Sequence, residues 1–189
     1  MSKLKNIIIR YWPYLLEGLF AVSFMAWSFR NNRFSLYVSL DYLSLLRGLF
    51  IGLTLFTIGK FLTQGFYWFL EVVHFDASHF ISFIKVSLCD IWIHLWTALI
   101  EESFWRVILQ TFILRGSLPG LISIAFLFAF THKSQLISTG QWIDFLIFSF
   151  SLGIIYYLSH DYFAIVSVHF TRNMLIVYDT YCADTEQKS

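Results

Sequence analysis

The sequence predicts an all-α protein, a polytopic bundle of about six membrane-crossing helices. Three observations predict it. First, 58% of the 189 residues are hydrophobic and 13% are charged, with a mean hydropathy of +0.67, whereas a soluble domain is about 45–50% apolar and about 25% charged. Second, only 2 prolines and 9 glycines interrupt the apolar runs. Third, 22 Phe, 10 Tyr and 7 Trp suit rings packed inside a bundle and along membrane interfaces. A net charge of +1 gives no reason to expect nucleic acid. Cys89 and Cys182 form neither a disulfide framework nor a metal motif, and read as buried or interfacial thiols.

Taken in order, Lys3, Lys5 and Arg10 precede an apolar run from Tyr14 to Trp27, closed by Arg30, Asn31, Asn32 and Arg33. This is the first span, with Tyr11 and Trp12 at the interface. No small-residue cleavage site follows it, so it reads as a retained anchor. Basic residues on both flanks leave orientation open, with a lean towards a cytoplasmic N-terminus. Phe34–Leu46 alternates polar and apolar residues, as an interfacial helix does. Gly48–Leu70 is a second span, with Lys60 inside it. Glu71–Phe80 is a polar connection; its His74, Asp76 and His79 match no metal-ligand spacing and read as solvated. Ile81–Leu114 is one long helix, ended by Arg115-Gly116, a cationic last turn and a C-cap glycine. Pro119–His132, Trp142–Leu158 and Tyr162–Tyr178 are further spans. The expected organisation is an N-terminal anchoring part over 1–80, a core over 81–180 and a polar tail over 181–189.

The chemistry concentrates in the long helix. Glu101, Glu102 and Arg106 lie within an apolar run, and ionisable groups at membrane depth face a protein interior or a wet cavity. Glu102 and Arg106 are four apart and share a face. Glu101 points about 100° away. Glu102 is thereby neutralised by Arg106, and Glu101 is left to act as a general base. Ser87, Asp90, His94, Thr97 and Glu101 form one helical stripe. His94 on that stripe reads as a bundle histidine or as a group behind the site. His132, one turn after Phe128, ends an apolar span beside Lys133. Alone it reads as interfacial; with a carboxylate partner it can hold and deprotonate water. His169 and Asn173 share a face, and serve either as an interhelical hydrogen-bond pair or as donors to a developing oxyanion. No Gly-x-Ser-x-Gly elbow and no serine–lysine pairing is present. Asp90, Asp144, Asp161 and Asp179 lie in dissimilar settings, unlike an aspartyl protease pair.

Glu101-Glu102-x-x-x-Arg106, Phe128-x-x-x-His132 and His169-x-x-x-Asn173, in this order on separate apolar spans, resemble the CAAX protease and bacteriocin-processing (Abi) family of intramembrane proteases. The resemblance covers about Ile91–Asp179. It implies that Glu101 and His132 activate the attacking water, that His169 and Asn173 form the oxyanion hole, and that Glu102 and Arg106 support the site. Phe128 matches the motif aromatic and implies packing. The expected cofactor is none. A zinc site on Glu101, His132 and His169 is the minority reading, because the family has also been described as metalloproteases.

The implied activity is hydrolysis of a peptide bond near the C-terminus or membrane segment of a membrane protein or peptide, within the lipid bilayer. The short chain implies a prokaryotic member, multi-pass in the inner or cell membrane, processing sorting signals or peptides. Oligomeric state is open. Two rivals stand beside this reading: a non-proteolytic bacteriocin-immunity or membrane binding protein, and a small proton-coupled transporter using Glu101 and His94.

Overall fold

The computed structural model describes residues 42–65, 77–132 and 138–186, with isolated helical positions between 16 and 30. The predicted first span, the Phe34–Asp41 part of the interfacial helix and the His74–Asp76 connection lie wholly or largely outside the described residues. What is described is all helical: α1 (Tyr42–Gln64), α2 (Ala77–Val86), α3 (Leu88–Glu102), a π-helical segment (Ser103–Ile113), α4 (Leu118–Thr131), α5 (Thr139–Ser159) and α6 (Tyr162–Glu186).

α1 begins at Tyr42, within the expected interfacial segment and ahead of the span expected from Gly48, and α2 begins at Ala77, within the expected polar connection; three further differences have a local reason. The single helix expected over Ile81–Leu114 is broken at Ser87. Its backbone leaves helical geometry (φ −103°, ψ 17°), although four-apart bonds continue across it, Ser87 N to Phe83 O at 2.9 Å and Ile91 N to Ser87 O at 2.8 Å. Beyond Glu102 the same helix widens into the π form. Leu114 N donates to Leu109 O at 3.0 Å and the Thr111 hydroxyl to Arg106 O at 3.1 Å, both five residues back. π-Helical turns are rare and frequent at functional sites. Finally, the last helix runs on to Glu186, through much of the expected polar tail. Phe83 of α2 packs edge-on against Tyr178 (5.2 Å) and lies 5.5 Å from Tyr181, giving that end an apolar partner.

Helix ends follow their sequence signals. Ser117 caps α4, its Oγ accepting from Gly120 N at 3.2 Å with Pro119 in the first turn. Ser138 and Gln141 form a reciprocal capping box at the start of α5.

Paired contacts give the topology. Ser149–Ala125 and Phe145–Phe128 set α5 antiparallel to α4. Asp144–Arg172 and Phe148–His169 set α6 antiparallel to α5, and Tyr162–Leu99 and His169–Glu102 dock it on α3. α1 lies along α6 in parallel: Gly48 faces Ala164 and Ser167, Gly52 faces Val168 and Thr171, and Lys60 pairs with Asp179. A Cβ on Gly52 would stand 2.8 Å from Thr171 Cβ and Val168 O, so the close approach requires glycine there. The core between α3, α5 and α6 holds Ala98, Phe148, Leu152, Tyr156, Ile165 and Val168.

Among the described residues, two helices are long and apolar enough to cross a membrane, Tyr42–Gln64 and Thr139–Ser159, where the sequence reading counts about six. The rest fall short for identifiable reasons. Asp90, Glu101 and Glu102 charge α3, α4 is apolar but has 14 residues, and the second half of α6 is polar.

Candidate active site

α3 ends where its two glutamates are enclosed: Glu101 is 3% exposed and Glu102 is fully buried. The three predicted motifs meet at this point. His132 Nε2 lies 3.6 Å from Glu101 Oε1, and His169 Nε2 lies 3.7 Å from Glu101 Oε2. Each oxygen of Glu101 thus faces one imidazole. These spans are longer than direct hydrogen bonds.

The opposite ring nitrogens are anchored. His132 Nδ1 is 2.8 Å from Phe128 O. A carbonyl only accepts, so Nδ1 carries the hydrogen and neutral His132 turns its Nε2 lone pair towards Glu101. His169 Nδ1 is 2.6 Å from Glu102 Oε1, a hydrogen bond assisted by charge when Glu102 is ionised. Glu102 also faces Arg106, Oε2 to Nε at 3.4 Å. Arg106 is fully buried. Its Nη2 donates to Ser149 O at 3.0 Å and to Ser149 Oγ at 3.1 Å, and Ser149 Oγ donates onward to Ala125 O at 3.1 Å.

Glu102 and Arg106 pair within the low dielectric of the bundle, where an uncompensated buried charge is costly.

Aromatic rings form the walls. Phe128 is fully buried; Arg106 lies over its ring at 5.3 Å, and His132 sits 4.6 Å from its centroid. Phe145 stacks on Phe128 at 5.4 Å and lies 4.9 Å from His132. Phe148 meets His169 edge-on at 5.4 Å.

The structure therefore brings Glu101, Glu102, Arg106, Phe128, His132 and His169 together. Asn173 lies one turn beyond His169, half-buried, and makes no hydrogen bond among the described residues. His94 is half-buried two turns before Glu101, within electrostatic reach of Asp90, His169 and Glu101. The stripe from Ser87 to Glu101 is not uniformly wet, since Ser87 is buried and Asp90 exposed. Among the described residues, no group of three or more His, Cys, Asp or Glu side chains is arranged to hold a metal ion.

Several neighbours of the cluster escape the sequence reading. Ser149, Phe145 and Phe148 carry no signal of their own, because only the docking of α5 brings them to the site. Gln110 does carry one: it extends the four-apart series Glu102, Arg106, Gln110, and it is fully buried. Arg172 forms an ion pair with Asp144. The Arg172 guanidinium lies 4.4 Å over Phe148 and 5.6 Å over Phe145.

Residues 87–175 match the model of one protein family, described as type II CAAX prenyl endopeptidase Rce1-like. The matched segment contains every residue of the cluster and leaves α1 and α2 outside. It is a family of membrane proteases. No curated protein and no solved structure matches the chain.

Proposed function

We propose that this chain, which through residues 87–175 belongs to the CAAX protease and bacteriocin-processing family, is a glutamate-dependent intramembrane endopeptidase. The observation that carries the reading is Glu101 bracketed by two histidine Nε2 atoms, at 3.6 and 3.7 Å, inside an apolar bundle. A spacing too long for a direct hydrogen bond suits a shared water.

In the proposed reaction one water lies between Glu101 and His132. The lone pair on His132 Nε2 accepts one hydrogen of the water and Glu101 accepts the other, which aims an oxygen lone pair at an incoming carbonyl. As the water oxygen bonds to the carbonyl carbon, its proton passes to Glu101. The carbonyl oxygen becomes an oxyanion, met by protonated His169 through Nε2–H, with Asn173 as the second donor. The C–N bond then breaks and Glu101 returns the proton to the leaving amine. One water is consumed, and an acid and an amine are released. No acyl-enzyme forms, so no nucleophilic side chain is needed.

Glu102 and Arg106 act through His169: Glu102 fixes the ring, and Arg106 holds Glu102. The substrate is a membrane protein or membrane-bound peptide cut near its C-terminus or membrane segment, unwound locally so that its amide is open to attack. The chain is multi-pass in a prokaryotic cell membrane, and its role is sorting-signal or peptide processing.

The test compares wild type with Glu101→Gln in a strain lacking the native gene, reading protein termini by mass spectrometry. Termini produced only by wild type are expected. If Glu101→Gln rescues the wild-type phenotype and no terminus changes, the non-proteolytic immunity reading replaces this one.

A further inference from the structure

Away from Glu101, the end of the bundle opposite His132 carries an open cleft of about 580 Å³, lined by Thr111, Phe112, Arg115, Tyr157, Leu158 and His160 among others. It lies where the π-helical segment ends and where α5 gives way to α6. α4 begins beside it and His132 caps the far end of α4, so the rise of those 14 residues, about 21 Å, separates the cleft from His132. In a bundle that crosses the bilayer, such an end meets the headgroup layer.

The polar groups of the cleft favour an anion. Arg115 is exposed and makes no ion pair among the described residues. No acidic side chain lines the cleft among the described residues. Asp161, next to His160, is engaged in capping α6: its Oδ1 accepts from Ala164 N at 3.0 Å. The His160 imidazole offers an N–H in either protonation state, and Tyr157 offers a hydroxyl.

The backbone gives a second, independent observation. Arg115 and His160, at φ 55° and 51°, are the non-glycine residues in left-handed conformation among the described residues, and both line this cleft. Glycine is the usual residue there, because a Cβ disfavours the conformation. Non-glycine residues held in it cluster at functional sites and ligand clamps. Around the polar groups the surface is apolar, with Phe112 and Leu158 at 44% and 75% exposed. Tyr157 stands where an interfacial aromatic does. A cation and donors beside exposed apolar side chains match a molecule with an anionic head and acyl tails.

We propose that this cleft binds the phosphate of an anionic phospholipid, with Arg115 as the counter-charge, His160 and Tyr157 as donors, and Phe112 and Leu158 against the acyl chains. A guanidinium holds phosphate by charge-assisted, bidentate hydrogen bonds, and basic pockets between membrane helices take anionic headgroups. The inference rests on the membrane setting of the proposed function and not on proteolysis.

The experiment is thermal unfolding and native mass spectrometry of the purified full chain in neutral detergent, with phosphatidylglycerol, phosphatidylcholine or inorganic phosphate added. Phosphatidylglycerol should raise the wild-type midpoint by a few degrees and remain bound in the mass spectrum; phosphatidylcholine and inorganic phosphate should do neither. Arg115→Gln combined with His160→Asn should lose most of that shift and the bound lipid. Lys85→Gln, at an exposed lysine of α2, should retain both. Equal shifts with the two phospholipids, the same shift with inorganic phosphate, or an undiminished response in the double variant overturns the lipid site. An equal loss in Lys85→Gln assigns the response to diffuse charge attraction and overturns it too. If the double variant is destabilised, Arg115→Gln alone, which keeps the Cβ and the backbone, carries the same comparison by mass spectrometry. None of these measurements reads cleavage. A chain without peptidase activity that still selects the anionic lipid keeps the site, and a peptidase that does not select it loses the site. A chain that stays soluble without detergent overturns the membrane setting itself.

Discussion

Glu101 and Glu102 are adjacent and chemically identical, and their surroundings separate them. Glu102 touches Arg106 and His169; Glu101 faces two imidazole nitrogens at distances that leave room for a reactant. Removing the guanidinium by Arg106→Ala leaves Glu102 as an unpaired buried charge, which should cost about 3–5 kcal/mol. Thermal unfolding in detergent would read this as a lowered midpoint, and an unchanged midpoint would refute the pairing. Glu102→Gln strands the buried Arg106 charge in turn and should cost a similar amount of stability. It keeps an acceptor for His169 Nδ1–H but removes the charge that assists that bond, so kcat should fall on the order of 10²-fold. Steady-state kinetics on an identified substrate check this. The division of roles between the glutamates is legible in sequence, because four-residue spacing links Glu102 to Arg106 and a 100° turn separates Glu101. The bond from His169 Nδ1 to Glu102 is not legible: 67 residues separate the partners, and only the docking of α6 on α3 joins them.

At the scale of the helices, periodicity locates the apolar segments and local geometry moves their ends. Pro119 is visible as a start signal and α4 begins beside it, whereas α5 begins at Thr139, three residues before the start expected at Trp142. The break at Ser87 and the π form after Glu102 have no comparable signal, since 3.6-residue periodicity assumes an unbroken α-helix. The small-residue face of α1 has a clear energetic consequence. Gly52→Leu would drive a side chain into Thr171 and the backbone of Val168, and should destabilise by about 1–3 kcal/mol. Gly140→Ala is the contrast, because its Cβ would meet nothing nearer than 3.7 Å. Parallel melting curves should separate the two variants; equal midpoints would mean that α1 does not pack closely on α6.

Across the whole molecule, α1 lies outside the family match yet braces the matched core. Gly59 leaves space for the Asp144 carboxylate, Asp144 pairs with Arg172, and Arg172 lies over the two phenylalanines that flank His132 and His169. Asp144→Ala should therefore leave Arg172 uncompensated, cost about 3–5 kcal/mol and lower activity together with stability. Restoration by Asp144→Glu, measured by the same melts, separates loss of charge from loss of shape. The all-helical class was readable from composition. Of the about six spans expected, two described helices have the length and apolarity to cross a membrane, while α3 and α4, with 15 and 14 residues, are shorter.

The brevity of α4 matters to the lipid around it. Its 14 residues rise about 21 Å, against a hydrocarbon layer of about 30 Å, while its antiparallel neighbour α5 has 21 residues and reaches about 32 Å. On the proposed membrane reading, the bilayer thins beside α4 or leaves one of its ends submerged, and His132 is at the C-terminal end. Acyl-chain length thereby becomes a control on how far water must travel to reach the histidine. Reconstituted in phosphatidylcholines of increasing chain length, the protein should cleave more slowly as the bilayer thickens.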